Sequence, residues 1–103
     1  MSEAQAKQER TGAAFMSLAS VFIAVMEWIG RPEPGEFVEA EPDWYVTFNA
    51  ALHGAILVLL IVALVRLPRM VADRPTLKTP FLVMILVGIV GAAYVLGRDF
   101  GLV

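Results

Sequence analysis

His53 is the only histidine in the chain, and it stands inside an apolar run. Counted from Val46 it lies seven residues in, about 10 Å deep if the run is a helix. An ionisable side chain at such depth in a membrane is costly unless partnered, which marks it as a candidate functional group. A neutral imidazole can ligate a haem iron or contact a quinone carbonyl, given a partner for its other nitrogen. Asn49, one turn earlier on the same helical face, is the partner expected from sequence; a proton relay is a further use of the pair. The plainer role is a hydrogen bond between helices that fixes their packing. One histidine supplies one axial ligand, so a haem would need a second chain.

Glu27 is the other candidate, about one turn from the end of the first apolar block. A carboxylate there can carry a proton or hold a cation. Arg31 follows four residues on, in the favourable order for an i, i+4 pair, and Trp28 places the segment at headgroup level. A carboxylate paired with Arg31, or reaching to water, is the simpler account. Glu27 and His53 fall within about 6 Å of each other along the membrane normal. Glu27, Asn49 and His53 therefore make one candidate polar cluster. No catalytic residues are expected: the sequence has no glycine-rich phosphate loop, no metal-ligand cluster and no nucleophile–base pair. It also has no cysteine, which removes disulfides, thiolate metal sites and thiol chemistry.

Three apolar blocks must position these residues. Of 103 residues, 58% are hydrophobic and 17% charged, with a mean hydropathy of +0.71; that is membrane composition, and the length leaves room for a single domain. The expected fold is all-α, a three-helix transmembrane domain with spans at about 12–30, 46–67 and 80–97. From Gly54 to Val65 there is no polar side chain, and Val46 to Val65 as a helix covers roughly 30 Å, a bilayer's hydrocarbon core. Residues 1–11 read as a polar tail, with Thr11 as N-cap of the first span, or as a short helix held against a partner. Residues 31–45 form an acidic external loop with Glu33, Glu36, Glu39, Glu41 and Asp43, closed by the interfacial pair Trp44 and Tyr45. Pro68 is expected to stop the second span. Residues 68–79 form a basic loop, and Thr79-Pro80 reads as an N-cap with proline at the first helical position.

Within the first span, Ala13, Ser17, Ser20, Ala24 and Glu27 recur at spacings of 4, 3, 4 and 3, one helical face. Small residues on one stripe let a neighbouring backbone approach, so Ser17, Ser20 and Ala24 are expected to face protein, with Phe15, Leu18, Phe22, Val25 and Ile29 facing lipid. Gly88, Gly91 and Ala92 give the third span a matching surface. Orientation follows from the bases. With the N-terminus in the cytoplasm, that side holds Lys7, Arg10, Arg66, Arg69, Arg74 and Lys78, against Arg31 and Arg98 outside. The C-terminus is then outside, periplasmic in a bacterial inner membrane, the expected location.

These features suit a small non-enzymatic accessory or anchor subunit on a larger integral-membrane complex, such as an electron-transport or other energy-transducing one. It would carry no cofactor of its own but could contact quinone, haem or lipid. In layout the chain resembles the membrane anchors of succinate dehydrogenase: about this length, three spans, N-terminus inside, a histidine in the second. That likeness implies contact between His53 and a quinone or haem; the family's histidine-rich and Asp-Tyr quinone motifs are not evident here. The competing expectation is a homo-oligomeric transporter or channel with Glu27 and His53 on its path, the chain's partner then being itself. The bases are few and juxtamembrane, without stacking aromatics among them, so nucleic acid is not expected as a partner.

Overall fold

The computed structural model describes residues 2–30 and 42–100. They form three long helices, α1 (Glu3–Ile29), α2 (Asp43–Met70) and α3 (Lys78–Asp99), with a 3-10 turn at Pro75–Leu77 leading into the last. No strand occurs among the described residues. All three helices are long and apolar enough to cross a membrane.

The first helix begins much earlier than Thr11. Ser2 caps it in a reciprocal box: its hydroxyl accepts from Gln5 N–H, and the Gln5 side chain accepts from Ser2 N–H. Two otherwise orphaned donors are satisfied, so residues 3–11 are helix and not a tail. Thr11 lies inside the helix, and its hydroxyl donates to the Lys7 carbonyl. At 27 residues α1 runs about 40 Å, longer than a hydrocarbon core of about 30 Å. Its first two turns therefore project beyond the apolar segment.

Differences at the other boundaries have local causes. Trp44 and Tyr45 belong to the first turn of α2, their rings edge-to-face at 5.9 Å. Pro68 sits within the last turn of α2, and the helix ends two residues later at Met70. Pro68 has no N–H to give the Leu64 carbonyl and its ring crowds that carbonyl, so it costs α2 one intrahelical bond where the helix is about to end. Pro80 is the third residue of α3 and not its first; N–H groups of the first turn lack intrahelical partners in any case. Leu77 precedes the helix and Thr79 is inside it, because the 3-10 turn from Pro75 already sets the chain into helical geometry.

The chain runs up, down and up, and α3 packs against both other helices more extensively than they pack on each other. Each helix supplies a narrow seam. On α1 it is Ala6, Arg10, Ala13, Ser17 and Ser20; on α2 it is His53, Leu60 and Leu67, seven residues apart; on α3 it is Ile85, Gly88, Ala92 and Val95. Alternating steps of three and four, or of seven, keep one stripe facing its neighbours in near-antiparallel packing. Ala13, Ser17 and Ser20 of the small-residue stripe are thus buried, Ala24 and Glu27 are half-buried, and Phe15, Leu18, Phe22, Val25 and Ile29 are exposed. An apolar cluster of Ala13, Leu67, Met70, Val71 and Ile85 closes the end near the α2–α3 connector.

Candidate functional site

The backbones of α1 and α3 approach closely at Gly88 and Gly91. A Cβ added at Gly88 would lie 3.0 Å from Ser17 Cα, and one at Gly91 would lie 3.3 Å from the Ser20 carbonyl and 3.4 Å from Ala24 Cβ. Glycine is needed at 88 because another helix's backbone occupies the space. That proximity lets the Ser20 hydroxyl donate to the Gly88 carbonyl at 2.7 Å. Ser17, 1% exposed, has no partner for its hydroxyl among the described residues. Its contribution is small volume.

At one end of the bundle, two consecutive α3 residues reach the two other helices. Successive side chains on a helix diverge by about 100°, so Arg98 and Asp99 can address different neighbours. Arg98 donates to the Glu27 carbonyl of α1 at 2.7 Å. His53 Nδ1 of α2 donates to Asp99 Oδ2 at 2.9 Å, both side chains largely buried. A carboxylate at a helix C-terminus meets the unfavourable end of the macrodipole, which makes a donor here especially useful. The observed partner of His53 is therefore Asp99 and not Asn49. Glu27 and His53 do lie at one level, as their depths imply, and what joins that level is the Arg98-Asp99 pair of α3. The proposed Glu27–Arg31 pair involves Arg31, and most of the acidic loop lies at 31–41; both are outside the described residues.

This geometry narrows what His53 can do. An ionised carboxylate only accepts, so the Nδ1 proton is directed at Asp99 and, in a neutral ring, Nε2 carries the lone pair. Such a ring is oriented as metal-ligating histidines are, with a carboxylate behind the free nitrogen. It can donate from Nε2 only as an imidazolium. Among the described residues no group of three or more His, Cys, Asp or Glu is placed to hold a metal ion.

At the opposite end a second polar assembly locks the projecting turns of α1 to the end of α2. Arg10, buried despite its charge, donates from one nitrogen to the Met70 carbonyl and the Asp73 carboxylate, each at 2.7 Å. The hydrogen bond from Arg10 is the main reason the Asp73 carboxyl is held below its ordinary value of 3.8. Glu9 pairs with Arg66 at 2.7 Å. Arg10, Asp73, Arg98 and Asp99 were not singled out by sequence as a set. Register is a partial signal: in an antiparallel hairpin, residues equidistant from a connector share a level, which sets 98–99 within about one turn of 53. The same count from the ends of α1 and α2 sets 10 level with 62, so the contact of Arg10 with 70–73 is not found this way.

No protein-family model, no curated protein and no solved structure matches this chain.

Proposed function

We propose that the chain is a non-catalytic accessory or anchor subunit, held in a bacterial inner membrane against a larger integral-membrane complex of the energy-transducing kind. The observation that carries this reading is the use made of polar groups within the bundle. Ser20, His53, Asp99 and Arg98 each tie one helix to another, which makes a fixed three-helix unit. Its outward faces are Phe, Val, Leu and Ile, including Phe15, Phe22, Val65 and Val90. Such a unit suits packing against lipid and other transmembrane helices, where van der Waals contact drives association.

A second reading rests on His53 itself. The Asp99 carboxylate behind Nδ1 favours Nε2 as a ligand to a haem iron contributed jointly with another chain, or as a contact to a quinone. Mass measurement on gently extracted material separates the readings. An assembly containing other polypeptides supports the accessory role. A multiple of 11.2 kDa with ion flux in liposomes supports instead the homo-oligomeric transporter using Glu27 and His53. An absorbing cofactor lost on His53→Ala, with the chain still membrane-inserted, promotes the cofactor-contacting role.

A further inference from the structure

Beside the Arg10 lock, the projecting turns of α1 and the last turns of α2 leave a crevice of about 620 Å³ lined by Gln5, Gln8, Glu9, Arg66, Arg69 and Ala72. Its volume falls within the range of about 300–1,000 Å³ of small-molecule sites. The lining is periodic on both sides. Gln5, Gln8 and Glu9 stand on one face of α1, at i, i+3 and i+4, opposite Arg66 and Arg69 at i and i+3 on α2. Two guanidinium groups face one carboxylate and two neutral amides.

Arg66 immediately follows the apolar run that ends at Val65. The crevice is thus level with the lipid headgroups of whichever leaflet that end of the bundle occupies. The wall is also incompletely paired. Glu9 engages one terminal nitrogen of Arg66, whereas Arg66 Nε and Glu9 Oε2 are buried without partners among the described residues. A buried donor normally finds a partner, and a phosphate oxygen can serve Arg66 Nε, whereas the Glu9 acceptor opposes an anion. Arg10 contributes no free charge here, being committed to Asp73 and the Met70 carbonyl.

We propose that this crevice binds a phosphate-bearing anion, with Arg66 and Arg69 supplying the charge and Gln5 and Gln8 supplying neutral donors. Guanidinium groups bind phosphate oxygens in forked pairs, and basic pockets between transmembrane helices at the headgroup level accept anionic lipid heads. A phospholipid head and a free phosphate share this chemistry; the position at the end of an apolar span gives the lipid direct access. The inference concerns the α1–α2 crevice only and holds whether or not the chain is an accessory subunit.

The test uses the full chain in non-ionic micelles, with retention of phosphatidylglycerol against phosphatidylcholine read by native mass spectrometry. Inorganic phosphate is added in a separate arm. The wild type is expected to retain phosphatidylglycerol selectively. Arg69→Gln should lower retention by about three- to tenfold, the effect of one partly screened charge-assisted bond. Arg74→Gln removes the same charge outside the crevice and should change retention by less than about twofold. Glu9→Gln removes the competing carboxylate and should raise retention, a gain that a merely structural role for Glu9 does not produce. Helicity by circular dichroism confirms that each variant is folded. Selective retention of phosphatidylglycerol with no competition by phosphate assigns the anion to lipid; competition by millimolar phosphate assigns it to the soluble ion. Equal losses in Arg69→Gln and Arg74→Gln, or no preference for either anion, would overturn the proposal.

Discussion

The tight seam between α1 and α3 makes a quantitative prediction at Gly88 and Gly91, with Gly54 of α2 as the unobstructed control. A Cβ at Gly88 would sit 3.0 Å from Ser17 Cα, 3.1 Å from Ser17 Cβ and 3.2 Å from its Oγ. Carbon atoms in contact prefer about 3.5–4.0 Å, and the nearest atom is backbone, which cannot rotate away. Gly88→Val must therefore push the helices apart, with an overpacking penalty of about 1–3 kcal/mol. The same movement stretches the 2.7 Å Ser20–Gly88 bond, whose loss in a membrane bundle costs about 0.6 and at most about 1.7 kcal/mol. A net destabilisation of about 2–4 kcal/mol follows. At Gly91 the nearest atoms are at 3.3 to 3.4 Å, so Gly91→Ala should lie within about 1 kcal/mol of wild type, its lost contact geometry offset by relief of glycine's chain entropy. At Gly54 nothing lies within 4 Å, so Gly54→Ala should stabilise by about 0.5–1 kcal/mol. Reversible unfolding in mixed micelles, titrated with a denaturing detergent and followed by far-ultraviolet circular dichroism, reads all three. If Gly88→Val proved as stable as wild type, the close approach of α1 and α3 would be refuted, whatever Gly54→Ala does.

Other outcomes follow from the polar ties and the same assay reads them. Ser20→Ala should destabilise by about 0.6 kcal/mol through loss of its bond to Gly88, while Ser17→Ala should be neutral or stabilising because a buried, unpartnered hydroxyl is removed. His53→Ala should cost up to about 1.7 kcal/mol and leave the Asp99 carboxylate unpaired; Asp99→Asn keeps an acceptor opposite Nδ1 and should cost less. Arg10→Ala should cost about 1–3 kcal/mol and more than Asp73→Asn, because Arg10 also satisfies the Met70 carbonyl. The Asp73 carboxyl is held low in the folded chain. Its ionisation therefore supports folding fully above its ordinary value of 3.8, and that support is lost as pH falls through the lowered native value. Asp73→Asn should flatten this acid limb without changing stability's dependence on pH near neutrality.

The parts of the fold legible in the sequence were those written in periodicity. The stripe Ala13, Ser17, Ser20, Ala24 and its counterpart at Gly88, Gly91 and Ala92 state which faces meet, because lipid imposes close packing by small residues. Boundaries were less legible where a long-range contact overrides local polarity. Residues 3–11 look like a solvated tail, yet Arg10 docks on the Met70 carbonyl and Asp73, 60 and 63 residues away, and the helix continues out to its cap at Ser2. The candidate site was half legible. His53 is conspicuous as a lone imidazole in an apolar run, whereas Asp99 reads as an end-marker until α3 is laid antiparallel to α2 and its last turn falls beside His53. Asn49 was the natural choice from local spacing alone, since one-turn separation is visible within a helix and partners on other helices are not.

Everything rests on the three helices being threaded through lipid in alternating directions. The chain has no cysteine, so single substitutions Val38→Cys and Ala72→Cys give clean reporters of the two connectors. In sealed vesicles treated with a membrane-impermeant maleimide, the two positions are predicted to react from opposite faces, with Ala72→Cys on the cytoplasmic one. Reaction of both from the same face would contradict the account.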